Sequence, residues 1–218
     1  NLRLHKIASN NPDVMEAFPH QDRASDLRDL DLCHDIVPTQ RSLGVFWDLS
    51  NDIFTFKVKI EDKPFTRRGV LSVVNGIFDP LGFAAPVTIK GKMLLRTMSS
   101  SHPLLGWDDP LPTEHYSAWA AWHESLLGLG TLCIPRCFTS VPADQVVSRS
   151  LHVFCDASEQ AIAAVAFLRT VDRHGVAHVS LVIGKAKLAP KSATTIPRLE
   201  LCAAVLGAEI CDVIKHEM

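Results

Sequence analysis

Apolar residues recur with two different periods along this 218-residue chain, and the switch between them divides it. Residues 12–41 show neither period. They are polar and carry Asp22, Asp26, Asp29, Asp31 and Asp35, the signature of an excursion over a surface. A hairpin is predicted next: Ser42-Leu-Gly-Val-Phe-Trp-Asp48 and Ile53-Phe-Thr-Phe-Lys-Val-Lys-Ile60 are rich in β-branched and aromatic residues, and Leu49-Ser-Asn-Asp52 between them is turn chemistry. Phe54, Phe56 and Val58 would share one face of its second strand.

Helical spacing then takes over. Thr66 suits the cap of a first helix in which Val70, Val73, Val74, Ile77 and Phe78 form one buried face, ended by Asp79-Pro-Leu-Gly82. Pro86 suits the first turn of a second, with Ile89, Met93 and Leu94 inward and Lys90, Lys92 and Arg96 toward solvent. Thr113 suits the cap of a third, whose stripe is Tyr116, Trp119, Ala120, His123, Leu126 and Leu127 and whose end is marked by Gly128 and Gly130. Three short amphipathic helices in series predict a small bundle.

Periodicity is lost over residues 132–150, where Pro135 and Pro142 predict a linker or an edge segment. Leu151-His-Val-Phe-Cys155 then reads as a buried strand ending at Asp156. Residues 161–170 and 176–187 read as a second and third strand, joined by a turn at 172–175. Thr195 caps an apolar helix over 196–214 that tolerates Pro197 in its first turn, with Leu201, Val205 and Ala208 as the stripe to be buried against the strands. The order is hairpin, helices, three strands, helix, and the fold class is α+β.

Composition changes this picture little. At 47% hydrophobic the chain can bury a core, and 22 basic against 24 acidic residues give no overall field to draw a polyanion, so any basic footprint is local. There is no apolar run long enough to cross a membrane, and the start, Asn1-Leu-Arg-Leu-His5, lacks both an initiator Met and a signal-peptide pattern, as in a chain cut from a longer one. The six cysteines, Cys33, Cys133, Cys137, Cys155, Cys202 and Cys211, suit reduced thiols, because a core of this size needs no staples. Cys133-x3-Cys137 has Pro135 inside it and no second Cys/His pair at finger spacing, which argues against zinc there.

Two acids stand out. Asp156 ends an apolar strand in Phe154-Cys-Asp-Ala-Ser158, where a carboxylate meets a sheet; as a bland alternative it simply opens the turn. Glu200 shares a helix face with Ala203, Ala204 and Gly207, so a long acidic side chain stands among small ones on a helix otherwise filled with apolar residues. Its bland alternative is service to the helix dipole in an exposed first turn. Only Asp156 on a neighbouring strand makes a metal pair of the two attractive.

The strings Leu43-Gly-Val-Phe-Trp47, Phe65-Thr-Arg-Arg-Gly-Val-Leu-Ser-Val-Val74, Phe78-Asp-Pro-Leu-Gly82, Ala85-Pro-Val-Thr-Ile-Lys90, Phe154-Cys-Asp-Ala-Ser158 and Ile196-Pro-Arg-Leu-Glu-Leu201 resemble, in order, the polymerase and RNase H region of BEL/Pao-type LTR retrotransposons. This resemblance implies a division into residues 1–60, the end of a polymerase palm with its primer-grip hairpin; 61–131, a thumb-like bundle; 132–150, a connection; and 151–218, the first half of an RNase H-like domain with a three-stranded sheet and one helix. It implies nucleic-acid contacts at Leu43, Gly44 and Trp47 in the primer grip and at Lys185 and Lys187 before the last helix. Arg67, Arg68, Lys90, Lys92 and Arg96 form a candidate patch on the thumb-like segment. Asp156 and Glu200 match the first two acids of a site holding two Mg²⁺ ions, which cleaves the RNA of an RNA–DNA hybrid.

The implied partners are a hybrid or primer-template duplex and the rest of a polyprotein, with no membrane, and the implied location is cytoplasmic, in virus-like particles for an active element. The polymerase's paired aspartates and the later RNase H acids have no counterpart in the chain, so the segment taken alone is expected to be catalytically incomplete. An alternative function is a non-catalytic nucleic-acid-binding or structural module retained from a retroelement. The region has also carried a peptidase label, but an aspartic peptidase needs Asp-Thr-Gly or Asp-Ser-Gly, and the nearest string is Asp156-Ala-Ser158.

Overall fold

The computed structural model describes residues 4–28, 30, 32, 35, 39–42, 45–59, 62–139, 141–190 and 195–217, with main chain alone at 41 and 42. The chain forms two compact units: Asn1–Lys57 with Gly128–Cys137, and Val58–Leu127 with Phe138–Met218. No helix among the described residues is long and apolar enough to cross a membrane.

The first unit is a small antiparallel sheet with a helical-turn segment. Helix α1, Pro12–Glu16, starts because the Asn11 side chain accepts hydrogen bonds from the Asp13 and Val14 backbone amides, with Pro12 already set for its first turn. Its Met15 packs with Ala24, Leu27 and Leu49 in a core of their own. The excursion expected over residues 12–41 therefore contributes to a core, and Asp22 within it is buried, with His5 Nδ1 3.1 Å from its carboxylate. The sheet has the order β1-β2-β3-β4, with β1 Gln40–Ser42, β2 Val45–Asp48, β3 Ile53–Thr55 and β4 Ile134–Pro135. The predicted hairpin is its centre, pairing Trp47 with Phe54, although β3 stops at Thr55. Residues 134 and 135, expected in a linker or an edge segment, supply its edge strand β4.

Among its described residues the second unit holds four α-helices and a sheet of longer strands. Thr66 Oγ1 accepts the Gly69 amide at the head of α2, Arg67–Gly76, which buries Val70 and Val74. This helix is shorter than its apolar spacing suggests, and Phe78 beyond its end is 55% exposed. Helix α3, Ala85–Ser101, carries Pro in its first turn and buries Ile89 and Met98. Helix α4, Tyr116–Ser125, follows a 3₁₀ turn at Thr113–His115. Its inward residues are Trp119 and Trp122, while Tyr116 and Leu127 of the expected stripe are exposed. Trp122 lies across Gly91 of α3, where a Cβ would come within 2.3 Å of the ring, and donates its indole N–H to the Val87 carbonyl. Only glycine allows that approach.

The sheet is antiparallel, in the order β5-β6-β7, with β5 Val146–Ala157, β6 Ala161–Asp172 and β7 Ala177–Leu188. Asp172 closes the β6-β7 turn by accepting the His174 and Val176 amides, and Gly175 supplies the positive φ of 78°. Helix α5, Ile196–Glu217, lies across one face. Alternate residues Ile162, Ala164, Ala166 and Leu168 of β6 meet its Leu199, Ala203, Leu206, Ile210 and Ile214 in two adjoining clusters. The stripe expected to be buried is on the far side: Leu201 is 64% and Val205 51% exposed, and Ala208 is exposed too. Both sides of this helix are apolar, so spacing alone did not select between them. Nor is β5 a fully buried strand. It starts at Val146, five residues earlier than expected; Leu151 and Val153 pack toward α5, whereas His152 and Phe154 are exposed.

The helices before the sheet are built into it. Asp79 accepts the Phe83 and Ala84 amides at 2.9 and 2.7 Å, folding Asp79-Pro-Leu-Gly82 into the turn that launches α3. Leu81 offers its carbonyl to the Gly184 amide of β7 at 2.8 Å, and Gly82, at φ +79°, packs backbone to backbone on Gly184. Arg96 of α3 then donates to the carbonyls of Ala189 and Gln160 at 2.6 and 2.9 Å. Helices α2 to α4 and the sheet thus belong to one compact unit.

Candidate metal centre and nucleic-acid groove

Asp156 is the penultimate residue of β5, paired across the ladder with Ala163. Strand alternation places it with Phe154, whose ring meets Phe167 edge-on at 6.2 Å, on the face away from α5. It is exposed, and one carboxylate oxygen accepts the Ala157 amide at 2.8 Å.

Glu200 is exposed on the first turns of α5 and has no partner among the described residues. Its level along β5 follows from Gly207, seven residues on and so on the same flank of the helix. A Cβ at Gly207 would meet Val153 and Cys155 at 3.4 and 3.5 Å, which fixes that flank against β5. Seven residues of helix span about 10 Å, and about three residues of strand cover the same distance, so Glu200 stands level with Ala157. The packing of Leu199 and Ala203 on Ala157, Ile162 and Ala189 gives the same direction.

Both acids are therefore at one end of β5, which among the described residues has a neighbouring strand on one side only. Asp156 approaches from one face, Glu200 from the other. Mg²⁺ suits such oxygen donors, but two carboxylates without further ligands hold it weakly.

The basic residues divide into two groups. Arg67 turns inward and donates to the backbone carbonyls of Leu105, Ser99 and His102, tying down the end of α3. Arg96 is spent on Ala189 and Gln160, as above. Arg68 makes a two-pronged ion pair with Asp108 at 2.7 and 3.0 Å. Those three do not form an open patch. Lys90 stays exposed, while Lys92 joins Lys185 and Lys187 of β7 in lining a groove of about 310 Å³ that Asp79 also lines. Burial raises the Asp79 carboxyl above its ordinary value, against the lowering pull of the Ala84, Phe83 and Gly82 amides and of Lys92.

A second groove, about 530 Å³ and mostly apolar, adjoins the first through Gly82, Ala85, Gly184, Lys185 and Ala186, and has Asp156 among its lining residues. The two grooves share Lys185, but by strand alternation Lys185 and Lys187, paired with Ala164 and Ile162, stand on the α5 face of the sheet, opposite to Asp156. The convergence of Lys92 with the β7 lysines could not be read from spacing, because it depends on the Gly82–Gly184 contact.

In the first unit, Leu43 and Gly44 lie outside the described residues, as does Cys33. Trp47 is described, and it is engaged: its indole N–H donates to Asp52 at 2.9 Å, and the Arg136 guanidinium lies 4.9 Å over its ring. Arg136 also makes two hydrogen bonds to Asp52, at 2.5 and 3.0 Å, and the Cys137 thiol donates to the same carboxylate at 3.3 Å. Burial raises the Asp52 carboxyl, but the hydrogen bonds from Arg136, Trp47 and Cys137 outweigh it and hold the group below its ordinary value. Asp52 raises the Cys137 thiol in turn. The five described cysteines are free, and Cys133 and Cys137 are exposed.

The model of one protein family, described as Pao retrotransposon-like RNaseH-like domain, matches residues 66–218. No curated protein matches the chain. The matched span begins at Thr66, the cap of α2, and so takes in the helices and the sheet that pack as one unit.

Proposed function

Because the chain belongs to the family of Pao retrotransposon-like RNaseH-like domains, we propose that it carries the first part of a retroelement RNase H site, with Asp156 and Glu200 as metal-binding acids. The observation that carries this reading is the placement of two exposed carboxylates level with each other at the same end of β5, on the side where the sheet has no further strand. Mg²⁺ bound there supplies an activated water and stabilises the leaving oxygen of a cleaved phosphodiester. Asp156 and Glu200 hold charge for it. Lys92, Lys185 and Lys187 neutralise backbone phosphates of the hybrid along the adjoining groove, and need no base readout to do so. Lys90 extends that basic surface along α3.

Under this reading the remaining acids come from a further segment of the polyprotein, which adds its structure at the open side of β5 and over the exposed Leu201, Val205 and Ala208 stripe of α5. The polymerase assignment of the first unit, with Leu43 and Gly44 as a primer grip, rests on sequence resemblance alone. The test is a longer chain that continues through the following coding sequence. Asp156→Asn and Glu200→Gln are each expected to abolish Mg²⁺-dependent cleavage of an RNA–DNA hybrid while hybrid binding and the far-UV spectrum persist. Cleavage at the parental rate by both variants would remove the site assignment, whereas hybrid binding without cleavage by the parental longer chain would leave the non-catalytic binding module as the function.

A further inference from the structure

We infer that His102, Glu114 and His115 form a binding site for a transition-metal cation of the Zn²⁺ class, separate from Asp156 and Glu200 and independent of the nuclease reading. The fold brings the three together by a deliberate return of the chain. Helix α3 ends at His102, whose carbonyl, with those of Ser99 and Leu105, is held by Arg67. The following loop is drawn back to the head of α2, where the Phe65 carbonyl accepts the Leu111 amide at 2.9 Å and Thr66 bridges to Pro110. That return places the turn Thr113–His115 beside the end of α3.

In the result, His102 Nε2 is 3.1 Å and His115 Nε2 3.4 Å from the same oxygen, Glu114 Oε1, and one ligand atom from each residue lies within 4.8 Å of the others. Zn²⁺ with nitrogen and oxygen ligands at about 2.0–2.1 Å in a tetrahedron sets neighbouring ligand atoms about 3.3 Å apart. The two separations bracket that value. Both imidazoles present the same ring nitrogen, and the rings meet edge-on at 5.5 Å, so neither blocks the other.

Hydrogen bonding alone does not account for the cluster. His102 and Glu114 can share a proton, but His115 Nε2 is buried and makes no hydrogen bond although it faces the same oxygen. A buried ring nitrogen without a partner is uncommon, and a missing ion is one of its ordinary explanations. Two imidazoles and one carboxylate favour Zn²⁺ or a neighbouring transition metal over Mg²⁺ and Ca²⁺, which prefer oxygen throughout. Glu114 is the most exposed of the three, which leaves the fourth position open to water. Bound there, the cation pins the end of α3 to the start of α4.

The test uses the 218-residue chain, titrated with Co²⁺ and with Zn²⁺ at neutral pH. One equivalent of Co²⁺ should develop the visible d–d bands of a four-coordinate N/O site without the near-ultraviolet thiolate charge transfer that binding at Cys133 or Cys137 would give. Zn²⁺ at a hundredfold excess over its Kd should raise the thermal midpoint by roughly 5 to 10 °C. Excess Mg²⁺ should do neither. His102→Asn, Glu114→Gln and His115→Asn each remove a ligand and should weaken binding at least about a hundredfold, more than the loss of an outer-shell partner costs. X-ray absorption at the Zn edge keeps the inference testable if a variant fails to fold, since it should show two imidazoles around the metal in the parent chain. A shell of water or thiolate, no thermal shift, or unchanged affinity in the folded variants would overturn the site.

Discussion

The two outer strands of the β5-β6-β7 sheet have been treated in opposite ways. At β7 the Asp79-Pro-Leu-Gly82 turn and α3 close on the strand: Leu81 takes the Gly184 amide, Gly82 packs on Gly184, and Arg96 reaches the carbonyls of Gln160, just before β6, and Ala189, just after β7, at one end of the pair. At β5 nothing among the described residues pairs with the outer edge, Phe154 is exposed, and Asp156 is among the residues left to solvent. One side of the sheet is spent on stability. The other keeps its polar groups and its acid available, and in the proposed function that is where chemistry takes place. Substitutions at β7 should therefore cost stability and those at β5 activity.

The largest effect is expected at Gly82. Alanine there meets two penalties, a left-handed backbone at φ +79° and a Cβ placed 1.8 Å from the Gly184 carbonyl oxygen, so the strands or the turn must separate. A loss of about 3 kcal/mol or more in urea unfolding is expected. Gly175 is the control, because it has φ +78° with nothing within 4 Å; Gly175→Ala should cost only about 1 to 2 kcal/mol. Equal costs at the two sites would mean that the close approach to β7 contributes nothing.

Arg96→Ala comes next. It removes two charge-assisted hydrogen bonds to carbonyls in a partly buried setting, and about 2 kcal/mol is expected. Arg68→Ala breaks a pair in which both side chains are mostly exposed and should leave stability nearly unchanged. A similar small loss at Arg96 would reopen it as a phosphate ligand. For binding, Lys92, Lys185 and Lys187 replaced together by Ala should lower the slope of log K against log salt for a hybrid by nearly three, at about 0.9 per phosphate contact. An unchanged slope would detach that groove from nucleic acid. On the open side, Asp156→Asn should move the unfolding free energy by less than about 0.5 kcal/mol, since the Asn oxygen can still accept the Ala157 amide.

What the sequence made legible follows the same division between local and distant causes. Thr66 as a cap, Pro86 in a first turn, the hairpin at Leu49 to Asp52 and the turn at Asp172 to Gly175 depend on neighbours in the chain, and each is found. The buried side of α5 was not legible, because Leu201, Val205 and Ala208 repeat at helical spacing as well as Leu199, Ala203, Leu206 and Ile210 do; Gly207 against Val153 and Cys155 marks the side that packs. Arg67 and Arg96 looked like nucleic-acid ligands because their carbonyl partners lie 32 to 93 residues away. The first five residues of β5, Val146-Val-Ser-Arg-Ser150, carry the polar pattern of an exposed edge, which resembles that of a linker.

The smallest effect expected separates the two sides by pH. Asp79 lies under the β7 closure, and its folded pKa is raised, chiefly by burial, above the 3.8 of an ordinary aspartate. A raised folded pKa means that the group's contribution to stability is fully present below 3.8 and is lost as pH rises through the folded value. Asp79→Asn removes the titration and leaves a pH-independent offset from the amide it no longer satisfies. The free-energy difference, parent minus variant, should therefore fall from pH 4 toward neutrality. Asp52 in the other unit gives the opposite sign, because Arg136, Trp47 and Cys137 hold its folded pKa below 3.8 against the raising effect of burial. Its contribution is present above 3.8 and is lost as pH falls through the folded value, so parent minus Asp52→Asn should shrink on acidification. Urea unfolding of the three proteins across this range measures both slopes with the other titrating groups cancelled. A difference for Asp79→Asn that rises with pH would show that the turn amides and Lys92 outweigh burial, and that the closure on β7 is held by a charged carboxylate.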